Sequence, residues 1–319
     1  MSMSNLVTIF GGSGFVGTQV VQAFARAGYR VRVAVRRPDL AGHVKPLGSV
    51  GQVAPIQANI RNQASVERAV KGASIVVNLV GIGFESGKQR FRAVHALGAQ
   101  NVAVAAKSLG VAHLVHMSAI GADMQSVSVY ARTKALGESE VLAAFPEAVI
   151  LRPSVIFGKG DGFFNLLGGL AARLPVIPVF GGKTKFQPVY VGDVAQAFLA
   201  SGEGKVSAGV YELGGPEVLS YRDLWTRVMR DTQRNRPLLP MPAGVAKLMA
   251  LPFALLPFKP LITSDQVDLL QIDNVVSNAS EAGGRTLAAF GITATPMDAV
   301  LPSYLWRFMP NGQFDRQTA

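Results

Sequence analysis

Seven residues near the start, Gly11-Gly12-Ser13-Gly14-Phe15-Val16-Gly17, constrain this chain more than any other stretch. Their glycines fall at GxxGxxG spacing, between segments of two different periods. Leu6-Val7-Thr8-Ile9-Phe10 is a short apolar run that reads as a strand, whereas residues 15–27 carry apolar side chains at helical spacing up to a stop at Gly28. A strand that turns on glycines directly into a helix aims the helix's unbonded N–H groups and its dipole at the space before the turn, a setting that suits a pyrophosphate. One glycine supplies positive φ, one lets the backbone approach the phosphates, and one lets the helix pack on the strand. With 34 glycines in 319 residues the spacing alone is a weak signal, and its position at the head of a regular pattern is what gives it weight.

That pattern is alternation of strand and helix. Residues 30–35, 53–57, 74–80, 113–117 and 148–151 read as strands, and 65–70, 91–109 and 130–145 as helices. The expected fold class is α/β, a doubly wound parallel sheet with helices on both faces of its apolar strands. Beyond Arg152 the pattern loosens into Gly- and Pro-rich loops, with a helix at 193–201, a strand at 210–213 and a helix at 221–231. The sequence therefore predicts a dinucleotide-binding domain over 1–152 and a smaller, looser lobe over 153–319 that is intertwined with the first and helps complete its sheet. Residues 237–262 stand apart, because six prolines punctuate a stretch of Leu, Met, Ala and Phe that carries Lys247 and Lys259. Such a segment suits an ordinary core, a lid over an apolar pocket, or contact with an anionic membrane surface. Thr263-Ser264-Asp265-Gln266 then has the form of a capping box opening a helix over 265–272.

Composition narrows the chemistry. There is no cysteine, which excludes disulfides, thiolate metal sites and a cysteine nucleophile. His43, His95, His113 and His116 show no i, i+4 pairing, so no metal is expected. Only five residues precede the first strand, which predicts no export signal, and no uncharged apolar run reaches the roughly eighteen residues of a membrane span. A cytoplasmic location, or a peripheral one on the inner membrane face, is expected. The net charge of +11 fits an anionic partner or simply a solvated surface, and without a basic run of five or more nucleic acid is not expected.

After the second strand the chain reads Arg36-Arg37, with no carboxylate there to accept from a ribose 2′-hydroxyl. The planar fork of Arg36 suits a 2′-phosphate, with Arg37 beside it and Ser13 as an added hydroxyl, so NADPH is expected before NADH. A plain surface arginine pair is the alternative. Asn59 and Ile60, after the third strand, are expected near the adenine, and Val80 and Gly81 on the pyrophosphate–ribose side. Tyr130 and Lys134 stand at i and i+4, on one helix face, where an ammonium can lower the phenol's pKa and the phenol can protonate a carbonyl oxygen. Ser118 closes the fifth strand, at the sheet edge where such folds bind ligands, and its hydroxyl can hold the same carbonyl. Asp193 reads as a helix cap, and Arg132 and Glu138 as solvated helix positions.

The glycine turn, Ser118 and the Tyr130–Lys134 pair together resemble the short-chain dehydrogenase/reductase superfamily, with its NAD(P)-binding Rossmann fold, in the extended or atypical branch. Arg152-Pro153-Ser154-Val155-Ile156-Phe157-Gly158 is similar to that branch's RPxxVYG stretch, which implies that Pro153 and Val155 border the nicotinamide. Gln187-Pro188-Val189-Tyr190-Val191-Gly192-Asp193 and Gly215-Pro216-Glu217 match its later signatures. Within the branch the chain resembles the nucleotide-binding accessory subunit family of respiratory complex I, alpha-subcomplex subunit 9, as a bacterial homologue. The phrases that carry this are Val76-Val77-Asn78-Leu79-Val80-Gly81, Phe145-Pro146-Glu147-Ala148, Ile262-Thr263-Ser264-Asp265-Gln266-Val267 and Phe290-Gly291-Ile292-Thr293-Ala294-Thr295-Pro296. The resemblance implies tightly held NADPH, Arg36 on its 2′-phosphate, and a carboxyl-terminal part that docks on a membrane complex near its quinone site. Two functions stand open. One is an NADPH-dependent oxidoreductase on a hydrophobic carbonyl or quinone-related substrate, using Ser118, Tyr130 and Lys134, the last two also touching the cofactor. The other is a non-catalytic NADPH-binding subunit or assembly factor of complex I or of quinone metabolism.

Overall fold

Seven strands, β1 (Leu6–Phe10), β2 (Arg30–Val35), β3 (Val53–Gln57), β4 (Ile75–Asn78), β5 (His113–Met117), β6 (Val149–Pro153) and β7 (Gly209–Leu213), form one sheet in the order β7-β6-β5-β4-β1-β2-β3. Every pairing in it is parallel. The computed structural model from which these elements are read describes residues 5–242, 244 and 264–312. Among these residues the α-helices of eight or more are α1 (Phe15–Arg26), α2 (Gln63–Val70), α3 (Leu97–Ser108), α4 (Val129–Ala144), α5 (Phe163–Arg173), α6 (Val191–Gly202) and α7 (Tyr221–Asp231). Helices α2, α3 and α4 pack side by side, and α1 packs on α6. A parallel sheet of strands this apolar requires such double cover, since Val7, Ile9, Val33, Val77 and Val115 have no exposed surface.

The chain divides into two units. The first comprises Met1–Pro153, Val191–Leu213 and Ser277–Thr293, and the second Ser154–Tyr190, Gly214–Val276 and Ala294–Ala319. In the first, β1 pairs with β2 on one side and β4 on the other, so strand order reverses at β1. Doubly wound sheets bind ligands in the crevice at the carboxyl ends of the two strands beside such a reversal. Here that crevice is made by the chain just after Phe10 and just after Asn78, and the two segments run close together. A Cβ on Gly11 would lie 3.3 Å from the Leu79 carbonyl carbon and the Val80 nitrogen.

Local chemistry fixes where the helices begin. The Asn62 side chain accepts from the Ser65 N–H (2.9 Å) ahead of α2, Ser128 accepts from Ala131 (3.2 Å) ahead of α4, and Ser220 with Asp223 forms a complete capping box on α7. In place of one unbroken helix over 91–109, the segment opens with a π turn, Arg92–Ala96, before α3.

The second unit has its own core of Phe157, Phe164, Leu167, Ile177, Leu224, Trp225, Leu301 and Leu305. Short ladders pair Ile156–Phe157 with Val189–Tyr190, Lys185–Phe186 with Leu219–Ser220, and Ile177–Val179 with Leu238–Pro240. Buried Asp161 accepts from the Phe164 N–H (2.7 Å) and the Tyr304 hydroxyl (2.5 Å), which ties the carboxyl-terminal turns to α5. Asn274 accepts through Oδ1 from the Ser154 hydroxyl (2.7 Å) and the Val155 N–H (3.0 Å). The Pro-rich stretch 237–262 lies largely outside the described residues, as does Thr263. The helix expected over 265–272 is Ser264–Leu269. No helix among the described residues is long and apolar enough to cross a membrane.

Candidate functional site

The glycine turn is shaped by what a side chain would strike. Gly11 has φ +79°, and its carbonyl accepts from the Gly14 N–H (3.2 Å). A Cβ on Gly17 would sit 2.3 Å from that carbonyl oxygen and 2.6 Å from the Gly12 Cα, so only glycine lets α1 pack on the turn. Gly14, the N-cap of α1, is exposed, and a Cβ there meets nothing closer than 3.6 Å. α1 starts with no side-chain cap and no acid in its first turn, so its amino-terminal N–H groups at Phe15, Val16 and Gly17 keep their dipole unopposed. This combination fits a dinucleotide pyrophosphate.

At the end of β2, Arg37 is bound in a fork to Asp39, with Nη2 2.7 Å from Oδ2 and Nε 3.0 Å from Oδ1. Arg37 therefore neutralises the nearest carboxylate and holds it below the usual range. Arg36 is exposed, and its side chain has no ion pair or hydrogen bond among the described residues. Asn59 closes a local turn on the Arg61 N–H (3.2 Å), while Ile60 is buried with its carbonyl accepting from Asn101 Nδ2 (2.8 Å). His43 Nε2 lies 3.1 Å from the Ser13 carbonyl. Val80 is half-buried and Gly81 exposed. Pro153 ends β6 with its carbonyl accepting from Ile120 (3.0 Å), and Val155 belongs to the second unit.

Beside this crevice lies a buried polar group that the strand and helix periods did not reveal. Successive side chains of a strand alternate faces, so His116 and Ser118, like Leu114, point from β5 to the side of α3 and α4. The Ser118 hydroxyl is buried (3% exposed) and has no partner among the described residues. Asn78 Oδ1 accepts from the Val80 N–H (3.1 Å), turning its NH₂ toward His116 Nδ1 (3.1 Å). The proton of His116 thus belongs on Nε2, which is also buried without a partner. Burial pushes this imidazole well below its ordinary pKa, and Lys134 adds to the effect. His95, also buried, accepts at Nε2 from the Ile82 N–H (3.0 Å) and meets Thr133 Oγ1 at Nδ1 (3.1 Å). Desolvation, with Lys134 second, lowers it to about 3, so it is neutral.

Lys134 was expected to act on the phenol of Tyr130 from one turn away. Its ammonium donates to the Met117 carbonyl at 2.6 Å, the residue before Ser118, because the side chain is buried and must find an acceptor. Tyr130 is half-buried, its ring edge-on to Phe91 and His95. Glu138 and Arg132 are not solvated. Glu138 is buried and bound in a fork by Arg152 (2.8 and 2.6 Å), whose Nη1 lies 3.6 Å from Glu212, so an ion triad ties α4 to β6 and β7. Arg132 is half-buried and donates to the Ser126 and Val127 carbonyls (2.6 and 2.9 Å), which holds the loop before α4. Asp193, in the first turn of α6, is buried.

Burial lowers the Lys134 pKa to about 8, with Glu138 opposing the shift. Between that value and its ordinary 10.5 the unfolded chain holds a proton that the folded chain has released, so stability rises with pH across this window. Chemical denaturation at pH 7.5 and 10 should show the wild type gaining about 2 kcal/mol relative to Lys134→Met. Parallel pH profiles for the two proteins would place the ammonium in water.

A family model, the NAD dependent epimerase/dehydratase family, matches residues 7–214. The chain belongs to that family. Its match runs from β1 through β7 and includes the turn, Ser118, Tyr130 and Lys134. The resemblance to complex I accessory subunits also holds over most of the length. The chain is 35% identical over 293 residues to the mitochondrial NADH dehydrogenase (ubiquinone) 1 alpha subcomplex subunit 9 of Arabidopsis thaliana, covering 87% of this chain and 72% of that protein. It is 34% identical to a ceramide reductase of Caulobacter vibrioides, over 70% of this chain and 68% of the relative. In fold it is similar to an NADPH-dependent quinone oxidoreductase of Escherichia coli solved with NADPH, with a TM-score of 0.71 and 18% identity over 91% of this chain and 96% of that one.

Proposed function

We propose that this member of the family is an NADPH-dependent oxidoreductase that reduces an apolar carbonyl, with quinone-related compounds in its substrate class. The observation that carries the reading is the Ser118 hydroxyl, buried without a partner among the described residues, one position beyond the Met117 carbonyl that the Lys134 ammonium holds. An unsatisfied buried hydroxyl costs about 1–3 kcal/mol, and a substrate carbonyl bound to it offsets that cost. NADPH, when bound, supplies the hydride. Gly11 to Gly17 hold its pyrophosphate, Arg36 with Ser13 takes the 2′-phosphate while Arg37 engages Asp39, Asn59 and Ile60 line the adenine, and Val80, Gly81 and Pro153 flank the remainder. Ser118 donates to the carbonyl oxygen, Tyr130 passes its phenolic proton to that oxygen, and Lys134 keeps a positive charge beneath both at neutral pH.

The substrate class rests on the chain's likeness to a ceramide reductase and on its fold likeness to a quinone oxidoreductase. Purified protein given NADPH and a panel of long-chain ketones, aldehydes and quinones should oxidise the cofactor, followed at its absorbance, with at least one of them. Silence across the whole panel would overturn the reading.

A second reading has its own support. The match to alpha subcomplex subunit 9 continues beyond residue 214, where the family model ends, which favours a non-catalytic NADPH-binding subunit with a partner surface in the later chain. It predicts nucleotide retained through purification and co-purification with complex I subunits from gently solubilised membranes.

A further inference from the structure

His95 sits in the π turn Arg92–Ala96, and such turns re-aim a side chain that a regular helix would carry elsewhere. The turn is locked in place from two sides. A Cβ on Gly137 of α4 would lie 2.1 Å from the His95 carbonyl oxygen, and one on Gly98 of α3 would lie 2.5 Å from Ile60 Cδ1. The ring then joins two segments that are far apart in sequence. Its Nε2 accepts from the N–H of Ile82, in the chain just after Val80 and Gly81. Its proton is thereby confined to Nδ1, which donates to Thr133 Oγ1, and that hydroxyl in turn donates to the Tyr130 carbonyl (3.0 Å). The same imidazole meets the Tyr130 ring edge-on, with centroids 5.3 Å apart and planes at 87°. Because the ring is neutral, these donor and acceptor roles do not exchange at physiological pH.

We propose that His95 is a positioning residue, transmitting occupancy of the dinucleotide crevice at Ile82 to the orientation of Tyr130. The inference rests on the NADPH reading of the glycine turn. Displacement of the segment after β4 by a pyrophosphate pulls on the Ile82 N–H, and through it on a ring that is hydrogen-bonded to that segment's backbone and meets the tyrosine edge-on. The device has one contact on the Ile82 side and two on the tyrosine side, the Thr133 relay and the ring edge, so the two sides can be cut separately.

The test uses the full chain with its tyrosines labelled at Cζ, the Tyr130 resonance being identified from Tyr130→Phe. The probe is adenosine 5′-diphosphate 2′-phosphate, which carries the pyrophosphate and 2′-phosphate of NADPH and lacks both the nicotinamide and the ribose that bears it, so any response of Tyr130 is transmitted rather than direct. The Tyr130 resonance should shift when the wild type is saturated. His95→Leu should lose the shift and bind the probe about tenfold more weakly, the worth of one hydrogen bond. His95→Gln, whose amide oxygen and nitrogen reproduce the acceptor and donor, should restore both. Thr133→Val, which cuts the hydrogen-bonded relay toward Tyr130 and leaves the ring contact, should reduce the shift to about half or less while binding within about threefold of wild type, and it decides the matter if His95→Leu does not fold. A shift of wild-type size in Thr133→Val or His95→Leu, or a glutamine no better than leucine, would overturn the inference. Wild type that binds the probe without any Tyr130 response removes only this inference, whereas wild type that binds neither probe nor NADPH removes the dinucleotide reading beneath it.

Discussion

Arg36→Glu should invert the nucleotide preference, weakening NADPH about 100-fold and leaving NADH within a few-fold of its wild-type affinity or tighter. A guanidinium on a phosphate makes two charge-assisted hydrogen bonds, and losing them costs roughly 2–3 kcal/mol, or 30- to 150-fold. The carboxylate adds repulsion of the 2′-phosphate, and it supplies the acceptor that a ribose 2′-hydroxyl lacks in the wild type. The neighbouring arginine is the internal control. Arg37 already spends its fork on Asp39, so Arg37→Ala should change NADPH affinity only a few-fold, mainly by freeing that carboxylate. Calorimetric titration of both variants with both nucleotides separates these effects. If Arg36→Glu holds NADPH within threefold of wild type, the 2′-phosphate is recognised elsewhere and the exposed guanidinium is ordinary surface.

That pair shows what the sequence could and could not reveal. Two adjacent arginines after an alternating strand are legible, and so is the missing carboxylate at that place. Which of the two is available depends on Asp39, whose partner is set by the geometry of the turn into Pro38–Leu47. The glycine turn was readable because its requirement is local, a positive φ at Gly11 and contact across six residues at Gly17. The buried polar group was not, because period assigns a residue to a face without saying what else lies on it. His95 and His116 fall inside an Ala-rich helical stretch and an apolar strand, and a search for paired metal ligands passes over them. Glu138 was read as solvated for a similar reason. A carboxylate in mid-helix is usually exposed, and its partner Arg152 is fourteen residues away at the end of another element. The available signal was that Arg152 directly follows the apolar run Ala148 to Leu151, where a guanidinium beside buried neighbours must find a carboxylate. The position of β7 beside β6 is likewise beyond pattern, since a strand's period does not name its neighbour.

Tyr130→Phe should lower turnover by about 10²- to 10⁴-fold while leaving NADPH affinity within a few-fold, the range for removing a positioned proton donor. The substitution is well suited to this fold. It keeps the ring that meets Phe91 at 5.9 Å and His95 at 5.3 Å, so the packing around α4 is retained and the melting temperature should stay close to wild type. What changes is the source of the proton that the carbonyl oxygen needs as hydride arrives. His95 and His116 cannot replace it at neutral pH, since burial keeps both unprotonated. Water and the Lys134 ammonium, which has N–H groups beyond the one on the Met117 carbonyl, are then the remaining donors, and the residual rate reads what they supply. Stopped-flow measurement of NADPH oxidation across pH 6 to 10 reads rate and profile together. Undiminished turnover in Tyr130→Phe would take the phenol out of the proton path and leave Ser118 as the hydroxyl to examine next.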